Sequence, residues 1–230
     1  MTTPGWEDPA VREGTRAMLQ RRAHLLESGE RMIGWKLGFG APAWLAKFDL
    51  TGPLVGFLPE ANLRETGANV SCVGWVNPVA EPEIAVYLGS DVENPSLIEA
   101  SISSIGAAIE LADVDSPPED IVEVLAGNIY HRAVVLGSAR RAWSDGGVTG
   151  TRARVSRNGS EIADTEDPEG LTGTIKAILS HVAGLLLEAG ERLRAGDVVI
   201  AGSVVPPIPV RPGDEISFEL VPLAPITVTL

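Results

Sequence analysis

Three acidic residues lie in apolar parts of this sequence, and their spacing indicates a metal site. Glu81 and Glu83 directly precede the apolar run 84–88, which predicts a buried strand. Because alternate residues of a strand share a face, both carboxylates are expected to point the same way. Two adjacent carboxylates repel each other and are costly to bury, and a divalent cation removes that penalty. With Glu110 from the next apolar run, they form an all-oxygen ligand set for Mg²⁺ or a similar hard ion.

Solvated acids at a strand end, paired with arginine, are the alternative interpretation of Glu81 and Glu83. Glu110 argues against it, because an acid between Ala-Ala-Ile and Leu-Ala is hard to place at the surface. Buried acids need a partner. Asp113, three residues further on, is expected to accept hydrogen bonds and to orient a water molecule or a basic group near the ion.

A lysine is the next candidate, in the segment Gly34-Trp-Lys-Leu-Gly38. A solvent-facing strand residue is one interpretation of Lys36. Beside a metal, a lysine holds a substrate carboxylate or helps to move protons. Gly38 and Gly40 would let the backbone approach a ligand closely.

The remaining candidates carry weaker signals. His131, which precedes a predicted strand, is the best placed of the three histidines for acid–base work, whereas His24 and His181 are expected to be ordinary helix residues. Ser203 follows an apolar run and is expected to donate to a ligand oxygen. It lacks the Gly-x-Ser-x-Gly context of a nucleophile.

Composition excludes several classes of protein. The net charge of −13 over 230 residues disfavours binding to a nucleic-acid backbone. The lone Cys72 excludes an internal disulfide and fits a reducing compartment. No run reaches membrane-spanning length, and the first residues lack the pattern of a signal peptide. We therefore expect a cytoplasmic protein with no membrane partner.

The elements that must position these residues are predominantly strands. The pattern predicts helices at 9–27, 41–48, 96–104 and 174–193, the first within an N-terminal helical segment that reaches about residue 30, and a helix or loop at 117–128. Strands are predicted at 32–40, 54–58, 70–76, 79–88, 105–111, 133–137, 152–156, 198–201, 208–210, 215–220 and 226–230. No repeat or linker divides the chain, which predicts a single α+β domain over residues 1–230.

The order of these motifs resembles the fumarylacetoacetate hydrolase superfamily, and within it the branch of 2-oxopent-4-enoate hydratases and 4-oxalocrotonate decarboxylases. The resemblance extends from about residue 10 to the C-terminus. It is carried by Gly34-Trp-Lys-Leu-Gly38, Glu81-Pro-Glu-Ile-Ala85, Ala108-Ile-Glu-Leu-Ala-Asp113, Asn128 followed by Val134-Val-Leu-Gly137, Ala195-Gly-Asp-Val-Val-Ile-Ala-Gly-Ser203 and Val210-Arg-Pro-Gly-Asp214.

The resemblance implies a mixed β-sheet folded on itself into a roll or barrel, with flanking helices. It implies a divalent-metal-dependent lyase that acts on small 2-oxo acids in aromatic-compound catabolism, as a homo-oligomer. The implied site consists of Mg²⁺ or Mn²⁺ on Glu81, Glu83 and Glu110, the catalytic residues Lys36 and Asp113, and substrate contacts from Lys36, Leu37, Asn128 and Ser203.

One departure bears on the reaction. Members of the hydratase branch carry Pro-Asp-aromatic-Gly after the lysine segment, where this chain has Pro53-Leu-Val-Gly56, so Leu54 replaces an acid. Hydration is the leading interpretation and decarboxylation the second. The further alternatives are hydrolysis of a C–C bond in an acylpyruvate, with His131 as the base, tautomerisation of a related oxo acid, and metal-dependent binding of an oxo acid without catalysis.

Overall fold

Two β-sheets and four α-helices make up the computed structural model, which describes residues 3–230 except for the side chain of Asp145. The helices are α1 (Pro9–Glu27), α2 (Pro42–Lys47), α3 (Ile121–Ala126) and α4 (Ile175–Glu188). The strands are β1 (Met32–Gly38), β2 (Leu54–Pro59), β3 (Leu63–Arg64), β4 (Ala68–Asn69), β5 (Pro78–Leu88), β6 (Ile102–Asp113), β7 (His131–Ala142), β8 (Arg152–Arg157), β9 (Ser160–Thr165), β10 (Val198–Ser203), β11 (Ile208–Pro209), β12 (Glu215–Val221) and β13 (Ile226–Thr229).

The larger sheet is mixed and curls into a half-barrel. Its strands run in the order β2-β1-β10-β5-β6-β7-β3, with β11 beside β5. The pairs β1–β10 and β3–β7 are parallel, and the other pairs are antiparallel. The smaller sheet has the order β4-β13-β12-β8-β9, and β12 and β13 contact β6 of the larger one. This architecture confirms the predicted α+β class.

Side-chain alternation gives the larger sheet two different faces. We call the face of Glu81, Glu83 and their cross-strand partners the site face; deeper along the strands it carries apolar residues such as Ala85 and Val134. The opposite face, which we call the packing face, belongs to the main hydrophobic core. It includes Ile84, Val86, Ile105, Ile109 and Leu111, which cluster with residues of α4 and the smaller sheet.

Helix α4 covers the packing face because its apolar residues recur every three or four positions. Ile178, Leu179, Val182, Leu185 and Leu186 are all buried. The Thr174 side chain caps the helix by accepting a hydrogen bond from the N–H of Ala177, at 3.2 Å. The helix ends at Glu188, five residues before the predicted end.

Two predicted elements are wrong. Residues 70–76 do not form a strand: Gly74 has φ +87°, Trp75 closes a turn onto Cys72, and Val73 and Val76 are exposed. The apolar residues of this segment have strand-forming propensity, but within the described chain only Val70 is hydrogen-bonded to the backbone of a strand, through its N–H to the carbonyl of Thr229 at 2.8 Å. The helix predicted at 96–104 is a 3₁₀ segment, Pro95–Ser101, capped by Asn94, and β6 begins directly after it.

Other local predictions are confirmed. Helix α1 has the predicted bounds, and it packs against α3. The β8–β9 hairpin turns at Asn158 and Gly159, whose φ values of +52° and +76° fit the turn that Asn-Gly favours. Within residues 3–230, no helix is both long and apolar enough to cross a membrane.

Candidate metal centre

The three predicted carboxylates converge on the site face. Glu81 and Glu83 are two residues apart on β5, and Glu110 lies directly opposite Glu81 on β6. One carboxylate oxygen from each residue lies within 4.8 Å of the others, with Glu83 and Glu110 fully buried and Glu81 half-buried. Like charges opposite each other on paired strands destabilise a sheet. Something must offset this repulsion.

Burial and this repulsion together raise the pKa of two of these acids. Burial, followed by the charge of Glu110, raises the pKa of Glu81 to about 7, although the charge of Lys36 opposes the shift. The pKa of Glu83 lies well above its usual range for the same reasons, with Glu81 adding to the effect. The N–H of Gly202 donates to Glu83 Oε2 at 2.6 Å and offsets part of that rise.

Glu110 behaves differently because two basic groups contact it. Lys36 Nζ donates to Glu110 Oε1, and His131 Nδ1 lies 2.7 Å from the same oxygen. Burial alone would raise the pKa of Glu110, but Lys36 and His131 outweigh burial and lower it. Glu110 is therefore the member of the trio that stays ionised most readily.

A divalent cation fits this set of donors. In the described part of the chain, Glu83 Oε1 and Glu110 Oε2 are buried without a hydrogen-bond partner. Unpaired buried carboxylate oxygens are costly, and most buried polar atoms have partners. Hard cations such as Mg²⁺ and Mn²⁺ take oxygen ligands and supply positive charge at the same time.

Lys36 is held beside the carboxylates by the sheet. It is buried on β1, and its Nζ also donates to the carbonyl oxygen of Ile129 at 3.1 Å. Its neighbour on β2 is Gly56, where an added Cβ would approach Lys36 Cγ to 3.1 Å and Asn128 Oδ1 to 2.7 Å. The buried position excludes the solvent-facing interpretation of Lys36.

Asn128 holds the turn that presents the Ile129 carbonyl. Its side chain accepts from the N–H of Phe57 at 2.8 Å and donates to the carbonyl of Phe57 at 2.9 Å. Asn128, Ile129 and Tyr130 have φ values of +64°, +51° and +61°, a left-handed run that costs about 1–2 kcal/mol per residue. The contacts of Asn128 are therefore with β2, and a substrate contact stays a prediction.

Asp113 lies on the other face of β6 from Glu110. The three-residue separation that suits one face of a helix places two strand residues on opposite faces. Its Oδ1 accepts from the N–H groups of Val76 and Asn77, at 2.9 and 2.8 Å, and its Oδ2 lies 3.6 Å from Arg132. The structure does not bring Asp113 to the carboxylates, and its contacts fix the loop before β5.

A cavity of about 470 Å³ adjoins the carboxylates. Lys36, Leu37, Glu81 and Ser203 line it. Three of the predicted substrate-binding residues therefore reach the cavity, and their contact with a substrate stays a prediction. The Ser203 hydroxyl donates to the carbonyl of Val205 at 2.6 Å. A hydrogen bond from Ser203 to a substrate would have to replace that contact.

The histidines have separate roles. His24 is exposed on α1, and His181 Nε2 donates to the carbonyl of Pro53 at 2.8 Å. His131 is buried; its Nε2 has no partner within the described residues, and burial lowers its pKa. His131 is absent from the described lining of the cavity, so its place is behind Glu110.

Sequence reasoning missed the groups that organise the site through the backbone. The Ile129 carbonyl, the Gly202 N–H and the close approach at Gly56 carry no pattern of residue types. The pairing of His131 with Glu110 joins residues 21 positions apart on neighbouring strands. A register assignment for β6 and β7 would have been needed to find that pair.

The fold and the carboxylate cluster together define a member of the fumarylacetoacetate hydrolase family. The family model described as fumarylacetoacetate (FAA) hydrolase C-terminal matches residues 40–230, and the chain belongs to this family.

Relatives with named activities cover most of the chain. A 4-oxalocrotonate decarboxylase from Pseudomonas sp. is 28% identical over 222 residues, which are 93% of this chain and 85% of the relative. The 2-keto-4-pentenoate hydratase 1 of Dechloromonas aromatica is 26% identical over 209 residues, 88% of this chain and 78% of the relative.

Solved structures show the same fold. A 4-oxalocrotonate decarboxylase from Pseudomonas putida G7, complexed with magnesium and adipate, has a TM-score of 0.84 at 21% identity, covering 92% of this chain and 82% of that one. A fumarylpyruvate hydrolase from Pseudomonas aeruginosa, in complex with Mn²⁺ and pyruvate, has a TM-score of 0.65 at 14% identity, covering 86% and 88%.

Proposed function

We propose that this protein is a divalent-metal-dependent lyase of small 2-oxo acids, with hydration of a 2-keto-4-pentenoate-like substrate as the leading reaction. The observation that carries the proposal is the convergence of Glu81, Glu83 and Glu110 beside Lys36, next to a cavity. Among the described residues, two buried carboxylate oxygens in this cluster lack partners, and a hard cation would satisfy them. Relatives named as hydratases and decarboxylases support the same class.

In this proposal, Glu81, Glu83 and Glu110 hold Mg²⁺ or Mn²⁺. When bound, the ion would polarise the 2-oxo group and stabilise negative charge that develops on its oxygen. Lys36 is the proposed catalytic lysine. An ammonium group has three donors, and two of them go to Glu110 and to the Ile129 carbonyl, which leaves one for a substrate oxygen.

The rest of the site positions Lys36. His131 and Lys36 share one oxygen of Glu110, so the carboxylate is fixed from both sides. The left-handed run from Asn128 to Tyr130 supplies the carbonyl that accepts from Lys36. In this proposal, Leu37 and Ser203 contact the substrate from the cavity wall, while Asn128 acts through the backbone.

Decarboxylation is the second candidate, and Leu54 favours it. Leu54 is fully buried among apolar residues that include Val11, Leu50 and Ile129. No acid is therefore available at this position to handle the proton transfers of water addition. Loss of CO₂ from an oxo acid needs no attacking water.

Hydrolysis of a C–C bond has less support. That reaction needs a base that activates water. His131 was the sequence candidate, but its Nδ1 contacts Glu110 and its Nε2 is buried away from the cavity lining in the described chain.

Turnover of three substrates tests the assignment. The purified protein is assayed with 2-hydroxypenta-2,4-dienoate, 4-oxalocrotonate and acetylpyruvate, each with Mg²⁺, Mn²⁺ or a chelator. We expect metal-dependent hydration of the first substrate, whereas CO₂ release from the second alone would establish the decarboxylase. Metal-dependent binding of pyruvate without turnover of any substrate would support the alternative of a protein that binds oxo acids without catalysis. Turnover that does not depend on a metal would refute the proposed metal centre.

The finer assignments are part of the same proposal: Mg²⁺ as the natural ion, a cytoplasmic homo-oligomer, a role in aromatic-compound catabolism, and one catalytic domain over residues 1–230. Light scattering after size-exclusion chromatography tests the oligomer directly. A single species with the mass of one chain would contradict it.

A further inference from the structure

Aromatic rings form one wall of the cavity beside the carboxylates. Phe39 and Trp44 line the cavity and meet edge to face, with centroids 6.0 Å apart. Phe48 supports both: it lies edge-on to Phe39 at 5.5 Å and stacks on Trp44 at 5.6 Å. Trp44 keeps 37% of its surface exposed, although burial of large apolar side chains is favourable. An apolar ligand would cover part of that surface.

The chemistry of the wall is apolar almost throughout. Apart from the charged residues Lys36 and Glu81, the described lining residues carry polar side-chain groups only at Tyr130, Thr172 and Ser203, which have hydroxyl groups, and at Trp44, which has an indole N–H. The hydroxyl groups of Tyr130 and Ser203 donate to the backbone carbonyls of Ser116 and Val205, at 3.0 and 2.6 Å, and the Thr172 hydroxyl lies 3.5 Å from the carbonyl of Ala201. Tyr130 and Ser203 therefore offer no free hydroxyl donor to a second charged group on a ligand, whereas the Thr172 contact is long for a hydrogen bond.

Positive charge in the described lining of the cavity is also confined to one residue. Of the lining residues that the structure describes, Lys36 alone is a cation, and it is paired with Glu110. Lys47 lies near the wall, but its Nζ is over the rings of Trp44 and Phe48, 4.9 and 5.1 Å from their centroids. A second carboxylate buried here would exchange its hydration for at most the indole N–H of Trp44 and backbone N–H groups, with no second cation in the described lining to pair with.

We propose that this site selects 2-oxo acids with an uncharged, apolar tail, and that Trp44 and Phe39 are specificity-determining residues that contact the tail. The inference rests on the proposed function, which places the oxo acid head at Lys36 and the carboxylates. The cavity of about 470 Å³ has room for more than a three-carbon acid, since pockets for small ligands begin near 300 Å³.

A matched pair of ligands tests the selectivity without relying on turnover. 2-Oxohexanoate and 2-oxoadipate have six carbons each and differ in a terminal methyl or carboxylate. Calorimetric titration in Mg²⁺ compares both with pyruvate, which has the head but no tail. We expect 2-oxohexanoate to bind about tenfold more tightly than pyruvate, because the wall covers its methylene groups, and more than about tenfold more tightly than 2-oxoadipate.

Variants at Trp44 assign the effect to the wall. Trp44→Ala is expected to weaken 2-oxohexanoate binding about fivefold to tenfold and to leave pyruvate binding unchanged. Trp44→Arg is expected to raise the relative affinity for 2-oxoadipate, because it adds the missing cation. Trp143→Ala is the matched control, since Trp143 is outside the described lining of this cavity. Lys47→Gln is expected to change neither preference.

Several outcomes would overturn the inference. Equal or tighter binding of 2-oxoadipate by the unmodified protein would mean that Lys47 or the backbone receives a second carboxylate, and a loss of that binding in Lys47→Gln would identify the lysine. If Trp44→Ala weakened the binding of pyruvate and of 2-oxohexanoate equally, Trp44 would not contact the tail. In both cases Mg²⁺-dependent binding of pyruvate would remain, so the proposed function would not be contradicted. Absence of that binding would overturn both.

Discussion

The two faces of β5 and β6 are both buried, but one is apolar and the other carries carboxylates. On the packing face, Ile84 and Ile109 are buried among apolar neighbours with no polar group to satisfy. On the site face, Glu83 and Glu110 are equally buried, yet each keeps a carboxylate oxygen without a partner in the described chain. Neighbouring residues of one strand therefore differ: the side chains on the packing face have no polar atom that needs a partner, whereas the carboxylates on the site face have oxygens without one among the described residues.

The difference shows how the fold tolerates its site. Burial of the packing face fixes the register of β5 against β6, because a one-residue slip would turn the apolar side chains of one strand towards the site face and its acids towards the core. The register in turn holds Glu81 opposite Glu110 despite their repulsion. Stability gained on one face offsets the cost of clustered charge on the other, and a bound cation would reverse that cost.

Removal of one carboxylate should produce the largest difference between the faces. Glu83→Gln keeps the shape of the side chain but removes a ligand and a charge. We expect metal-dependent turnover to fall by about 100-fold or more, as a metal site loses an anionic ligand. In a chelator at neutral pH, the free energy of unfolding should rise, because the variant no longer buries an acid whose ionisation is costly in the folded state.

Urea denaturation with EDTA and with Mg²⁺ measures the second part of this prediction. Glu161→Gln, a change at an exposed acid of β9, is the matched control and should alter neither property. A Glu83→Gln variant that is less stable without metal, or as active with it, would contradict the role given to Glu83.

Lys36→Met is expected to affect the site face in the opposite direction. Lys36 is the buried partner of Glu110, and removal of one member of a buried ion pair costs about 3–5 kcal/mol. The variant should lose turnover and become less stable in chelator, and Mg²⁺ should restore part of the stability. In the double variant Lys36→Met/Glu110→Gln, much of the loss should disappear, since no unpaired carboxylate remains. Additive losses in unfolding experiments would rule out the pairing.

A change on the packing face should separate stability from metal binding. Ile109→Ala removes buried methyl and methylene groups next to Glu110 and should cost about 2–5 kcal/mol of stability. Mg²⁺ affinity, measured by calorimetry well below the unfolding midpoint, should change less than about threefold. A large loss of metal affinity would show that the two faces are not independent.

The pH dependence of stability should distinguish the faces more finely. The pKa of Glu81 is raised to about 7 in the folded protein, above its unfolded value of 4.5, so the folded state binds more protons between these values. Stability in chelator should therefore be greatest below pH 4.5 as far as this group is concerned, and should fall as the pH rises towards 7, by at most about 1.4 kcal/mol per pH unit. Glu83 acts in the same direction.

Saturating Mg²⁺ should remove or reverse this slope, because the ion binds the ionised carboxylates. Glu81→Gln should reduce the slope in chelator, whereas Glu161→Gln should not. Urea midpoints from pH 4.5 to 7.5 provide the comparison. A slope that is the same with and without Mg²⁺ would contradict coupling between the metal and these acids.

Sequence patterns predicted what depends on the two-residue period of a strand. Glu81 and Glu83 share a face for that reason, and the apolar context of Glu110 identified it as buried. Sequence patterns failed where tertiary contacts determine the local structure. Val73 and Val76 have strand-forming propensity but are exposed and outside any strand, and nothing near Asn128 predicts three left-handed residues in succession. The pairing of Lys36 with Glu110 spans 74 positions and needs the register of four strands.

Asp113→Asn should have the smallest effect, and it decides between the two roles for this residue. The Asn Oδ1 can still accept from the N–H groups of Val76 and Asn77, so the loop before β5 should keep its hydrogen bonds. We expect turnover within about twofold of the unmodified protein and a stability loss below about 1 kcal/mol. Asp113→Ala, which removes both acceptors, should cost more stability, about 1–3 kcal/mol, because two N–H groups lose their partner. A loss of turnover above about tenfold in Asp113→Asn, with unchanged unfolding, would mean that the charge itself serves catalysis from the packing face, and the separation between the faces would fail at this residue.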